Sequence, residues 1–265
     1  MKKPLISVIV NCHNGEKYLA QCIRSILNQS FKNFEIIFWD NISNDNSNKI
    51  INKFNDKRIR KFKSNFFFNL YKCRNLAIEK SRGKYITFCD TDDLWVKNKL
   101  SEQIKLIKKR KNTKLIFSNY FVLNEIKKCK YRKFHKNISE GFITQDLLNN
   151  YTIGILTTIL EKNILKKFPF NPEFSVIGDF DLFVKLSVKF KFSYIKKPLA
   201  IYRLHKNNFS SRRYDLYISE MKKWISVNSQ HKSLKNFSFL KIRYLLYKLK
   251  LKYFFQKYFN LNLGV

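Results

Sequence analysis

Four prolines and six glycines in 265 residues are too few for a low-complexity or collagen-like chain. No apolar run reaches the 18 residues that a membrane-spanning helix needs. Met1-Lys2-Lys3-Pro4-Leu5 leads straight into a β-like stretch with no signal-peptide apolar region, so the expectation is a cytosolic chain without a span. The five cysteines, Cys12, Cys22, Cys73, Cys89 and Cys129, are odd in number and form no C-x-x-C pair. That excludes a disulfide scaffold, and because cysteines and histidines do not cluster it argues against a zinc site; the thiols read as reduced and buried in a core. Acidic residues are scarce too, 19 against 53 Lys and Arg, for a net charge of +34. An anionic partner follows, and nucleic acid, an anionic membrane face or a phosphorylated substrate would each satisfy it. Abundant Lys, Asn, Ile and Phe are also what A+T-rich codons produce, which accounts for part of the excess. With 45% hydrophobic and 16% aromatic residues the chain has enough apolar surface for one sizeable core.

The first hundred residues alternate strand-like and helix-like segments. Leu5 to Val10 is a short apolar run suited to a buried parallel strand, and Tyr18, Leu19, Cys22, Ile23, Ile26 and Leu27 then recur at helical spacing. Phe34 to Trp39 repeats the strand signal, followed by the polar turn Asp40 to Asp45 and a short helix from Ser47 to Phe54. A helix over Leu70 to Lys80, with Gly83 as its expected C-cap, leads into the strand Tyr85 to Cys89. This order predicts an α/β fold, a Rossmann-like, mostly parallel sheet with helices on both faces. Further on, Leu115 to Val122, Ile155 to Ile159 and Phe192 to Tyr202 read as strands and Lys127 to Lys136 as a basic loop.

Ligands of such sheets bind beyond the carboxyl ends of the strands. Three polar clusters stand there: Asn11 to Asn14, Asp40 to Asp45 and Asp90-Thr91-Asp92-Asp93. Carboxylates two apart at a strand end can point the same way, and their hard oxygens suit a divalent cation that also takes diphosphate oxygens. Asp92 and Asp93 could instead cap a helix starting near Trp95. Acids concentrated at neighbouring strand ends in so basic a chain favour a site.

At these residues the chain resembles the family-2 glycosyltransferases, which have the GT-A fold. Ser7 to Asn14 looks like the family's opening strand, Asp40-Asn41-Ile42-Ser43-Asn44-Asp45 like its D-D-G-S-x-D turn, and Cys73-Arg74-Asn75-Leu76-Ala77 like its A-R-N-x-A helix. Gly83 to Asp93 is close to its G-x-Y-I-x-x-x-D-x-D-D signature. The chain departs at Asn41, at Ile42 in place of Gly, which puts a tight turn in question, and at His13, where the family usually has an aromatic stacked on the base. Ile177-Gly178-Asp179-Phe180-Asp181-Leu182 resembles the acidic motif with Gly178 replacing its Glu, leaving Asp179 as general base and Asp181 as a structural helix acid; both could also be plain N-terminal acids of a helix over Phe180 to Phe190. Tyr202-Arg203-Leu204-His205 with Ser210 resembles a segment near the diphosphate.

The resemblance implies a single-displacement, inverting transfer of one sugar from a nucleotide-diphosphate donor, a UDP-sugar being favoured, to a glycan or lipid-linked acceptor. It assigns Asn11, His13, Asp40, Arg74, Asp90, Asp92 and Arg203 to donor binding, and Asp92, Asp93 and His205 to Mg2+ or Mn2+. A donor-binding relative without activity and a basic nucleic-acid-binding module are the competing readings; the acid clusters contradict the second, so no nucleic acid is expected.

The expected organisation is a catalytic domain over 1–210, with donor binding in about 1–98 and acceptor binding in about 99–210, and a basic helical extension over 211–265. That extension carries twelve Lys and Arg against two acids. As a helix, residues 239–259 present two apolar stripes: Ile242, Leu246, Leu249 and Tyr253 on one, Leu240, Tyr244, Tyr247, Leu251, Phe254 and Tyr258 on the other. One stripe could dock while the other enters an anionic lipid surface, placing the protein on the inner face of the cytoplasmic membrane; a buried helix with snorkelling lysines is the alternative.

Overall fold

The computed structural model describes residues 3–110, 113–209 and 213–259, with side chains to residue 255. Its elements in chain order are β1 (Ile6–Cys12), α1 (Glu16–Leu27), β2 (Phe34–Asp40), α2 (Ser47–Asn52), β3 (Ile59–Lys63), α3 (Leu70–Lys80), β4 (Tyr85–Phe88), β5 (Leu94–Trp95), α4 (Lys99–Lys109), β6 (Leu115–Asn124), β7 (Cys129–Arg132), α5 (Thr144–Asn149), β8 (Ile159–Glu161), α6 (Lys162–Lys167), α7 (Gly178–Ser187), β9 (Phe192–Leu204), α8 (Tyr214–Asn228) and α9 (Leu240–Phe259).

All seven residues of β1 and of β2 are buried, as strands covered on both faces require. The sheet runs β3-β2-β1-β4-β8-β6-β9-β5, with β7 paired to β6. β1 pairs in parallel with β2 on one side and β4 on the other, so the chain winds outward to β3 and then returns across β1. That reversal makes a crevice at the carboxyl ends of β1 and β4. Strand alternation divides the core: Ile6, Val8 and Val10 pack with α1 and α4 on one face, while Ile9, Ile37 and Trp39 pack with α3 and the later helices on the other. The expected α/β architecture is thus the one observed.

Several local expectations are corrected. Residue Trp95 lies in β5, not at a helix start, and α4 begins at Lys99, so Asp92 and Asp93 cap no helix. The α3 helix ends at Ser81 in extended backbone rather than at a glycine cap. Gly83 is demanded by close approach instead: a Cβ there would stand 2.5 Å from the Ser7 backbone nitrogen. Within the expected basic loop, β7 forms a hairpin strand against β6. Residues 155–157 form a 3₁₀ turn, with β8 starting only at Ile159. Four cysteines are buried, but Cys129 is exposed.

The largest correction concerns the boundary at 210. Met221, Trp224 and Ile225 of α8, Leu234, Phe239, and Ile242 and Leu246 of α9 belong to the same buried cluster as α3, α5 and α7. The Trp224 indole donates to Asp181 at 2.8 Å, and its ring lies 4.8 Å from that of Phe180. This segment is therefore core, not an appended tail. Of the two α9 stripes, Ile242 and Leu246 are buried and Leu249 and Tyr253 half-buried, whereas Leu240, Tyr244, Tyr247, Leu251 and Phe254 are exposed. Ser210 and the Tyr258 side chain fall outside the described residues. Among the described residues no helix is long and apolar enough to cross a membrane.

Candidate active site

The site grows from the ends of β1, β2 and β4. After β1, His13 turns its Nδ1 to the Asn41 carbonyl at 2.8 Å and stands edge-on to the exposed Phe67 ring at 4.9 Å. Asn11 is buried, and its side-chain amide nitrogen has no partner. After β2, Asp40 is buried and accepts from the Ser43 N–H and the Asn48 amide. The turn closes without the family's glycine: Ile42 itself takes φ 56°, a left-handed conformation that is strained for a β-branched residue. Asn41 clamps both the N–H and the carbonyl of Phe68, which ties down the loop carrying Phe67. Asp45 joins two helix starts, accepting from Ser47 and Glu16 N–H groups. Burial works against its ionisation, yet these bonds and the Ser47 hydroxyl hold its carboxyl below the usual range.

Past β4, Arg74, Asp90, Asp92, Asp93 and Asp179 line one cavity of about 310 Å³. Arg74 is 2% exposed, pairs with both Asp90 oxygens at 2.8 and 3.0 Å, and lies near the rings of Tyr71, Phe88 and Phe170. Burial disfavours its charge, but the Asp90 carboxylate more than restores it. Asp92 accepts from Asn208 at 3.3 Å and stands 3.1 Å from His205 Nε2. Burial and then the neighbouring Asp90 charge raise the Asp92 carboxyl.

Asp179 occupies the first turn of α7, flanked by the Tyr71 hydroxyl at 3.3 Å and that of Tyr151 at 3.4 Å. Burial raises its pKa against the opposing pull of Arg74 and the Phe180 N–H. A carboxylate so perturbed in a cleft is suited to taking up a proton. Gly178 has no room for a side chain, because a Cβ would meet the Tyr71 ring at 2.5 Å. Tyr71 fills the space beside Gly178, the position at which the acidic motif that this segment resembles has its Glu.

Two expected residues do something else. Arg203 was expected at the diphosphate, but its guanidinium is spent within the protein, donating to the Asp92 carbonyl, Glu125 and Gln21 over the face of Tyr18. Asp93 was expected on the metal, yet it is 2% exposed and accepts the Arg203 backbone N–H at 3.0 Å, holding β9 to the β4 loop. Burial and the charges of Asp92 and Asp90 push its carboxyl well up. Among the described residues no three His, Cys, Asp or Glu side chains are grouped to hold a metal ion. Tyr71, Tyr151, Asn208 and Glu220 were not singled out from sequence; Tyr71 could have been, standing one turn before Arg74 on α3.

A mostly parallel sheet with one arginine and four carboxylates, contributed by the loop after β4 and by α3 and α7, around the crevice at its chain reversal defines a GT-A-type α/β protein. The Glycosyl transferase family 2 model matches residues 7–177, and the chain belongs to that family. The Escherichia coli protein WfaP, a UDP-Glc:alpha-D-GlcNAc-diphosphoundecaprenol beta-1,3-glucosyltransferase, is 29% identical over 233 residues, 86% of this chain and 89% of its own. WfgD of the same organism, of the same named activity, is 32% identical over 167 residues; the match covers 63% of this chain and 64% of WfgD, under two thirds of that protein. Staphylococcus aureus TarS 1-349 in complex with UDP-GlcNAc superposes with a TM-score of 0.66 at 18% identity, covering 86% of this chain and 68% of that one, which shows the shared fold.

Proposed function

We propose that this glycosyltransferase moves one sugar, with inversion, from a UDP-sugar to a hydroxyl of a glycan or lipid-linked acceptor in surface-polysaccharide or lipid-linked oligosaccharide synthesis. The observation that carries this reading is Asp179, a half-buried carboxylate of raised pKa on the wall of the cavity that also holds Arg74, Asp90 and Asp92. The names of WfaP and WfgD support the donor and the acceptor class.

In this reading the nucleoside base lies against His13 and Phe67, with the unpartnered amide of Asn11 and the carboxylate of Asp40 beneath it. Asp179 takes the proton of the attacking hydroxyl, while Tyr71 and Tyr151 hold its carboxylate in place. Arg74 orients Asp90 on the sugar side.

Asp92 and His205 form a two-donor set, carboxylate and imidazole, that fits a Mg2+ or Mn2+ completing its shell with diphosphate oxygens. Such a cation would stabilise charge developing on the departing nucleotide. The lysine-bearing exposed face of α9 is the part that would meet an anionic membrane, on its cytoplasmic side.

The test is donor binding and transfer in wild type and Asp179→Asn. The amide preserves shape and cannot accept the proton, so donor affinity stays while turnover falls by about 10²- to 10⁴-fold. Wild-type turnover in that variant, or failure of every UDP-sugar to bind wild type with and without Mn2+, overturns the reading.

A further inference from the structure

The candidate active site takes up the carboxyl ends of β1, β2 and β4. A further cavity, of about 700 Å³, opens at the opposite, amino-terminal ends of the same strands, which share an edge because β1 pairs in parallel with both neighbours. Residues 3–5 lead from it into β1, Asn33 into β2 and residues 81–84 into β4, while α6 completes its wall. Three segments far apart in sequence bring five cationic side chains to it, Lys3, Arg82, Lys84, Lys162 and Lys166, and no acidic residue lines it. The active-site cavity has the reverse balance, four carboxylates to one arginine.

Among the described residues none of the five stands within ion-pair distance of a carboxylate. Glu35, whose charge reaches Lys162, is buried and taken up by the Ser7 hydroxyl, the Arg82 backbone N–H and the Arg60 guanidinium. Lys162 is half-buried and donates to the Ser81 carbonyl. Burial and then the charge of Lys166 lower its pKa, with Lys3 and Arg60 adding to the effect. Like charges gathered in a concavity repel one another, a cost that lysines spread over a convex, solvated surface escape. An anion that touches several of them at once removes that cost. The lining also selects among anions. It has no aromatic ring on which a nucleic-acid base could stack, and its apolar side chains, Pro4 and Leu5, are half-buried rather than projecting towards a lipid layer. What it offers is separated positive charge around a volume in the range of small-molecule sites, about 300–1,000 Å³. That suits an anion with several charges along a short chain better than a single phosphate.

We propose that this cavity binds a small ligand of two or three linked phosphates, at an anion site separate from the donor site and at the far end of β1 and β4 from it. Arg82 and Lys84 hold the ligand from the loop before β4, Lys162 and Lys166 from α6, and Lys3 from the start of β1. The assignment is independent of which residue is the base and of which donor is used.

The probes are inorganic tripolyphosphate and inorganic phosphate, titrated calorimetrically into the full chain in buffer without divalent metal, with and without saturating UDP. Tripolyphosphate is expected to bind at least about tenfold more tightly than phosphate, with UDP changing its affinity by less than about twofold. The double variant Arg82→Gln with Lys166→Gln, at exposed positions that leave the fold intact, weakens tripolyphosphate at least about tenfold and leaves UDP affinity unchanged. Lys222→Gln with Lys235→Gln removes the same charge from exposed positions outside the cavity and changes tripolyphosphate affinity by less than about twofold. Equal affinity for the two anions, equal loss in both double variants, or displacement of tripolyphosphate by UDP overturns the proposal, the last by assigning the anion to the donor site. A single-stranded oligo-dT that binds more tightly than tripolyphosphate and is weakened by the same cavity variant overturns it in favour of nucleic acid. Failure of UDP to bind wild type counts against the donor reading instead, and the two double variants then decide the cavity assignment by themselves.

Discussion

Glu220 of α8 links the last third of the chain to the candidate base. Its carboxylate is 7% exposed and accepts three backbone N–H groups, from Ser175 at 2.7 Å, Val176 at 3.0 Å and Ile177 at 3.1 Å. Those residues run directly into α7, whose second residue is Asp179. Glu220→Gln keeps the shape but replaces one oxygen by an amide NH2 donor that faces an N–H, so at least one bond is lost and the others lose their charge. Hydrogen bonds to a charged group contribute about 1.5–3 kcal/mol each, so the expected cost is about 2–4 kcal/mol. For a chain of this size that lowers Tm by roughly 5–15 °C. Thermal unfolding followed by circular dichroism reads the stability, and calorimetry with UDP alongside a transfer assay separates binding from turnover. Donor affinity should stay within about twofold while kcat drops, because the bonds hold the Asp179 segment and none of them is made to the Asp90 and Asp92 wall. Glu173→Gln, which breaks the exposed pair with Lys223, is the control and should cost no more than about 0.5 kcal/mol. A Tm for Glu220→Gln within a degree of wild type would refute the argument.

Three further outcomes are expected. Gly178→Ala drives a methyl into the Tyr71 ring and should destabilise by about 1–3 kcal/mol or more, and by clearly less when added to Tyr71→Ala, which itself empties a buried site; a tolerated Gly178→Ala alone would show that Tyr71 moves freely. Lys99 is fully buried against Trp95, and burial lowers its pKa from 10.5 to about 7. Between those pH values the unfolded chain keeps a proton that the folded chain has shed, so stability rises with pH across that window; Lys99→Met should flatten the slope and add about 1–4 kcal/mol near pH 6 in denaturant titrations. Asp92→Asn and His205→Gln should each remove the strengthening of UDP binding by Mn2+, whereas Asp93→Asn should chiefly lower Tm, since its carboxylate holds a backbone N–H; the opposite pattern in calorimetry would return the cation to Asp93.

What was legible in the sequence was whatever local pattern decides. β1, β2 and β4 are short apolar runs that stop at polar clusters, so both the strands and the site edge could be read without tertiary knowledge. β3 could not, because Arg60, Lys61 and Lys63 leave its five residues without an apolar run, and it is made a strand by its pairing with β2. The roles of Arg203 and Gly178 depend on partners far away in the chain: Gln21 and Glu125 consume the guanidinium, and Tyr71 occupies the space above the glycine. No spacing rule reaches across such separations. The α9 stripes were readable from their period, but which one docks is settled by the buried cluster that α8 completes with Trp224.

Net charge reports on surface rather than site. The charge of +34 pointed to an anionic partner without placing it, and the basic segment after 210 reads in sequence as an appendage. Yet among the described residues Arg74 is the one cation lining the polar cavity, and it is already paired with Asp90. The α8 and α9 helices place Lys222, Lys223, Lys241 and Lys248 on exposed faces while turning Met221, Trp224, Ile242 and Leu246 into the core. Solvated lysines cost the fold little and can vary with codon usage, whereas each cavity-lining residue is constrained by what it must touch. The scarce acids carry more information than the abundant bases, since a carboxylate kept in a cleft in so basic a chain needs a local reason, and the structure brings Asp90 and Asp92 beyond a strand end and Asp179 in the first turn of α7 to one wall.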